Sequence, residues 1–101
     1  MTEKNSKNLK ERDNIVYVGK KSLNDYVTAV MTQFGHGETE VLLKARGINI
    51  VKAVSVSQVL QNNVAMGVIE KDAKTGTDIL ESDTGTKPLR VSVLTIYLER
   101  K

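Results

Sequence analysis

The chain reads as an α/β two-layer sandwich, with two helices on one face of a four-stranded mixed sheet. Three observations predict it. A β-branched run, Ile15-Val16-Tyr17-Val18, passes directly into an amphipathic helical stripe that begins at Leu23. A second apolar run and a second helical segment repeat that order up to Asn62. Everything from Val64 to Lys101 then has the shape of one long hairpin. Strand, helix, strand, helix, strand, strand is the order that packs helices against one side of a sheet.

Residues 1–13 are polar and mixed in charge, with Lys4, Lys7, Lys10 and Arg12 against Glu3, Glu11 and Asp13. Such a segment buries too little apolar surface to offset its ordering entropy, so it is expected to be a disordered tail ahead of a domain over 14–101. Ile15–Val18 is too short for a helix and rich in β-branched residues, which makes it a strand. In the helix over 23–34, Leu23, Tyr26, Val27, Val30, Met31 and Phe34 recur at helical spacing. Ser22 suits its N-cap, with Asp25 three residues on, and Gly35-His36-Gly37 stops it. The next strand is predicted over 40–45, where Val41-Leu42-Leu43 suggests burial on both faces.

Gly47 breaks that run, and Asn49 is expected to cap a helix from Ile50 to about Asn62. Ile50, Ala53, Val54, Ser57 and Leu60 form its stripe, with Val56 and Val59 to one side. So many β-branched residues give poor intrinsic helicity, so packing must hold this helix. Its two apolar flanks predict one contact with the sheet and another with a second subunit. In the hairpin, Val68 and Ile69 open one arm. The other arm puts Leu94, Ile96 and Leu98 on one face and Val91, Val93, Thr95 and Tyr97 on the opposite one. Lys74 to Pro88, with Gly76 and Gly85, reads as an extended loop between the arms.

A chain of 101 residues, 40% hydrophobic, supports one small core, and a domain of this size often gains stability from a partner subunit. It lacks cysteine, so disulfides and thiolate metal sites are excluded. No segment resembles a signal peptide or a membrane span, and a cytoplasmic location is expected. A net charge of +3 is only mildly basic, so the placement of charge matters more than its sum.

Two places stand out. In Val18-Gly19-Lys20-Lys21-Ser22, adjacent lysines sit where a strand ends and a helix begins. Free helix N–H groups and the positive end of the dipole favour anions there, phosphate above all. Lys44-Ala45-Arg46-Gly47 repeats the arrangement before the second helix. The segment at Lys20-Lys21 is no P-loop, because the spacing of glycine ahead of lysine is absent. Arg46 has a competing role as a surface bridge to Glu38 or Glu40, and Arg90 as a bridge to Asp72 or Asp83, each of small value. His36 lies between glycines in a loop and suits neither ligand nor base. Asp72, Asp78, Glu81 and Asp83 do not have the spacing of a calcium loop. Ser55 and Ser57 have no nearby histidine to activate them, so no catalytic constellation is found.

These residues, in this order, resemble the Alba family of archaeal chromatin proteins. The resemblance rests on Ile15-Val16-Tyr17-Val18-Gly19-Lys20-Lys21, Asn24-Asp25-Tyr26-Val27, Lys44-Ala45-Arg46-Gly47, Ile50, Lys52-Ala53-Val54 and Arg90-Val91-Ser92. It implies a fold like the C-terminal domain of a bacterial translation initiation factor, and a homodimer laid across duplex DNA or RNA. By position, it implies that Lys20 and Lys21 contact phosphates and that Lys20 is a candidate for acetylation. It further implies that Arg46 and Lys52 extend the basic face, that Asn49 hydrogen-bonds the nucleic-acid backbone, and that Arg90 stands at the base of an arm reaching towards a groove. The sequence departs from the family pattern at Ile48, where arginine is common, and at Gln61-Asn62-Asn63-Val64 in place of Arg-Asn-Arg-Phe. The acidic hairpin tip also departs from a surface that meets phosphate.

The expected function is therefore a non-enzymatic, mostly sequence-independent, chromosome-associated DNA-binding protein that contacts phosphates through basic loops. Structured RNA is a further expected ligand; no cofactor, small-molecule substrate or membrane partner is implied. With few aromatics and none at the basic corners, stacking on single strands is not expected to dominate. The alternative is a ribonucleoprotein subunit or protein–protein adaptor with weakened nucleic-acid binding.

Overall fold

In the computed structural model, residues 14–81 and 87–101 are described. The tail expected over 1–13 and the tip residues Asp83 and Gly85 lie outside them. Strand β1 (Ile15–Tyr17) leads into helix α1 (Leu23–Gly35), strand β2 (Glu40–Arg46) and helix α2 (Asn49–Asn62). A single 3-10 turn at Val64–Met66 precedes the hairpin of β3 (Val68–Leu80) and β4 (Leu89–Arg100). Sheet order is β1-β2-β4-β3, with β1 and β2 parallel and the other neighbours antiparallel. This is the α/β sandwich that the sequence predicts.

Alternation along the strands builds the core. Val16, Val18, Val41, Leu43, Ala45, Leu94, Ile96 and Leu98 face the helices and are buried. Helix α1 sets Tyr26, Val27, Val30 and Phe34 against them, and Ser22 Oγ caps it by accepting from Asp25 N at 3.3 Å. The left-handed turn at Gly37, φ +101°, ends that helix, its N–H donating to Phe34 O.

Four expectations need correction. Strand β2 is central in the sheet but buried on one face only: Val41, Leu43 and Ala45 are covered, whereas Leu42 and Lys44 are half-exposed on the other side. Helices occupy a single layer, so the apolar run could not be covered twice. Asn49 is the first residue of α2 rather than its cap. Ile48 holds the capping position without a side-chain bond, and Gly47, at φ +60°, turns the chain. The buried stripe of α2 is Ala53, Val56, Ser57 and Leu60, while Val54 is 43% exposed. Finally, Lys74–Leu80 is strand, not loop. It pairs residue by residue with β4, from Lys74 opposite Thr95 to Leu80 opposite Leu89. A ladder of backbone bonds to the apolar, β-branched arm outweighs the weak strand propensity of this polar stretch.

The buried Ser57 joins α2 to β3. Its hydroxyl donates to Glu70 Oε1 at 3.1 Å and accepts from Gln61 Nε2 at 2.9 Å, and Glu70 N donates to Gln61 Oε1. This small network sits beside the register shift between Glu70 and Asp72. Gln61, where the family pattern has arginine, thus pairs inward with an edge-strand glutamate.

Candidate nucleic-acid interface

Because β1 and β2 are parallel neighbours, both basic corners emerge from the same end of the sheet. Tyr17 lies opposite Lys44, and Val18 N donates to Lys44 O at 2.8 Å, so the two strands run out together. Strand β4 is antiparallel to β2, which brings its first residues to that end as well. Gly47 N donates to Ser92 O at 2.8 Å, and beyond this point β4 pairs only with β3. The hairpin over Leu89–Val91 and Asp78–Leu80 therefore projects past the corners by roughly 10 Å, at about 3.3 Å per residue.

The first corner is braced on two sides. The hydroxyl of Tyr26, a buried residue of α1, accepts from Gly19 N at 2.8 Å and from Lys21 N at 3.1 Å. From α2, Lys52 Nζ donates to Gly19 O at 2.8 Å and to Lys21 O at 2.7 Å, and lies 5.9 Å from the Tyr26 ring centroid. Gly19 and Lys21 thus have their amide hydrogens and carbonyl oxygens satisfied internally. The phenol thus takes the amides of Gly19 and Lys21. Lys20 and Lys21 are both exposed at the tip of this clamped loop.

The remaining predicted residues divide. Lys52 is half-exposed and its ammonium is turned onto loop carbonyls, bridging the two helices' N-terminal ends. Arg46 is exposed at the second corner and pairs with Asp78 of β3 at 3.3 Å, not with Glu38 or Glu40. Glu40 instead pairs with Lys71 at 3.9 Å. Asn49 stands half-exposed at the first position of α2, one helical turn before Lys52. Arg90 is exposed near the base of the projecting hairpin, opposite Ile79. The structure brings Lys20, Lys21, Arg46, Asn49 and Lys52 to one end of the sandwich, with Arg90 on the arm beyond. From the sequence Tyr26 is legible only as a member of the α1 stripe. Its signal was a hydroxyl at a core position seven residues after Gly19.

Fold and corners together define a small α/β sandwich with a cationic end and a protruding β arm. The chain belongs to the Alba family, whose pattern matches residues 14–75. It is 42% identical over 89 residues to DNA/RNA-binding protein Alba 1 of Archaeoglobus fulgidus, covering 88% of this chain and 98% of that one. The fold superposes on Alba from Thermoplasma volcanium with a TM-score of 0.76 and 34% identity, covering 86% of this chain and all of that one. Alba1 from Trypanosoma brucei gives a TM-score of 0.71 at 25% identity, covering 87% and 69%. No helix among the described residues is long and apolar enough to cross a membrane.

Proposed function

We propose that this chain is a homodimeric, chromosome-associated nucleic-acid-binding protein that grips the phosphate backbone of duplex DNA with little base reading, and that structured RNA is a second ligand. The observation that carries this reading is the clamped Lys20-Lys21 loop. Ordering a loop before binding removes an entropic cost that a mobile lysine pair would meet on contact with phosphate. Relatives named as DNA/RNA-binding proteins support the same reading.

In this account Lys20 and Lys21 each neutralise a phosphate, and acetylation of Lys20 removes one such contact. Arg46 and Arg90 extend the contact along the duplex, and Asn49 donates a hydrogen bond to the backbone. Lys52 acts by holding the loop. The dimer rests on the exposed apolar side chains of α2 and its flanks, where Ile48 is 92% exposed, Val51 73% and Val64 90%. Burying them against a second copy removes apolar surface from water, which favours association.

The test is binding to duplex DNA and to structured RNA of equal length across a salt series, with sedimentation of the free protein. The reading predicts a mass twice that of the 11.2 kDa chain and affinity that falls steeply with salt. A monomer, or binding indifferent to salt, would refute it. Strong dimerisation with weak binding to both ligands would favour a protein–protein adaptor, a reading to which acidic Asp78 and Glu81 on the arm lend support.

A further inference from the structure

Aromatic side chains make up only 4% of the chain, yet two of its three tyrosines fall on one surface. The helices cover one face of the sheet, and the strand register fixes what the other face carries. Tyr17 lies opposite Lys44, Lys44 opposite Thr95, and Thr95 opposite Lys74, so one row crosses all four strands. The next row holds Ile15, Leu42, Tyr97 and Asp72; on the other side follow Arg46, Val93 and Gly76. Tyr17 is 67% exposed, and Lys74 Nζ stands 5.4 Å from the Tyr97 ring centroid. A groove of about 390 Å³ opens here, lined by Tyr17, Lys44, Arg46, Asp78, Val93 and Thr95 among others.

We propose that this open sheet face binds unpaired nucleotides, with Tyr17 and Tyr97 as stacking platforms and Lys44 and Lys74 as phosphate contacts. A single strand offers flat base faces linked by anions, and this surface offers rings interspersed with cations. Every base has a face that can stack on an aromatic ring, whatever its identity. Tyr17 and Tyr97 lie two strands apart and two residues along, roughly 12 Å from one another at ordinary sheet spacings. That span leaves room for a nucleotide between two stacked ones. At Tyr97, a base replaces the Lys74 ammonium as the partner of the ring and frees that cation for phosphate. A four-stranded sheet bearing exposed aromatics is an established platform for single-stranded RNA.

Duplexes do not suit the surface, because their bases are stacked inside and cannot lie flat on a tyrosine. A protein partner seated on it would have to desolvate Lys44 and Lys74, which is costly without matching acids. The charged side chains of the central row, Lys44 and Lys74, are both cations. Glu40 and Glu99 face each other at the far end, Asp72 lies on the β3 edge, and Asp78 is engaged with Arg46. The site is separate from the Lys20-Lys21 corner, so it stands or falls on different variants.

The experiment titrates the full chain against a short labelled oligouridylate and against a duplex of the same length. Tyr17→Ala is expected to weaken the single strand about tenfold, the usual effect of removing one stacking platform, and to leave the duplex within about twofold. Tyr17→Phe, which keeps the ring, should retain single-strand binding. The double variant K20A/K21A should do the reverse, weakening the duplex more than the oligouridylate. Four results would overturn the proposal: no oligouridylate binding by the unaltered chain, Tyr17→Ala binding it as well as the unaltered chain, Tyr17→Ala weakening both ligands alike, or Tyr17→Ala dissociating an oligomer in sedimentation. Tyr17 is exposed on an outer strand, so its removal leaves the core intact, and a thermal melt verifies this.

Discussion

Replacing Lys52 with methionine keeps the aliphatic stem but removes the ammonium that spans from α2 to the Lys20-Lys21 loop. Two charge-assisted hydrogen bonds are lost, at 2.8 Å to Gly19 O and 2.7 Å to Lys21 O. The first is partly shielded and the second is exposed, so water replaces part of the second. Bonds to a charged group contribute about 1.5–3 kcal/mol when shielded, and the pair is therefore expected to contribute about 2 kcal/mol. In a domain of this size that lowers the melting temperature by about 10 °C, readable by circular dichroism. If this ammonium braces the loop instead of meeting phosphate, duplex affinity should fall while the slope of log K against log salt stays unchanged. An unaltered melt, together with a slope reduced by about one unit per protomer, would refute the bracing role and put Lys52 on the phosphates.

Two further variants probe the second corner. Gly47→Ala forces a side chain into the left-handed region at φ +60°; the new Cβ meets Val91 Cγ1 at an ordinary 3.5 Å, so the cost is in the backbone alone. It should amount to about 1 kcal/mol, seen as a melting point lower by about 5 °C, and an unchanged melt would contradict it. Asp78→Asn releases Arg46 from a half-exposed bridge, so stability should move by no more than about 0.5 kcal/mol. Duplex binding should tighten by roughly two- to fivefold as a negative charge leaves the cationic end, and weaker binding would count against the assignment of Arg46.

What could be read from the sequence divides along local and non-local lines. Helix α1 was legible because Ser22, the stripe from Leu23 to Phe34 and Gly37 all point the same way within one segment. The strand over Lys74–Leu80 was not, since its polar residues become strand only through pairing with β4. The rotation of α2 was ambiguous for a related reason. Valines at 51, 54, 56 and 59 surround the helix, and the sheet selects Val56 for the core. At the candidate site, Lys20 and Lys21 were visible as the junction of a strand and a helix. The inward use of Lys52 was hidden, because its two carbonyl partners lie more than thirty residues away in sequence. Asp78 falls in the stretch that the sequence predicts as loop, so its bond to Arg46 is not legible there. The shared face of Tyr17 and Tyr97 needed the strand order, in which β2 stands between β1 and β4.

Phosphate contact by the clamped lysine pair underlies the proposed function. Its most direct test compares the salt dependence of duplex DNA binding for the unaltered chain and the double variant K20A/K21A. Both side chains are exposed and outside the core, so the variant should melt with the unaltered chain. If both lysines contact phosphate, the slope of log K against log salt should be shallower by roughly two units per bound chain. A variant that binds more weakly, or equally well, with the slope unchanged would contradict the account and place the phosphate contacts elsewhere on the molecule.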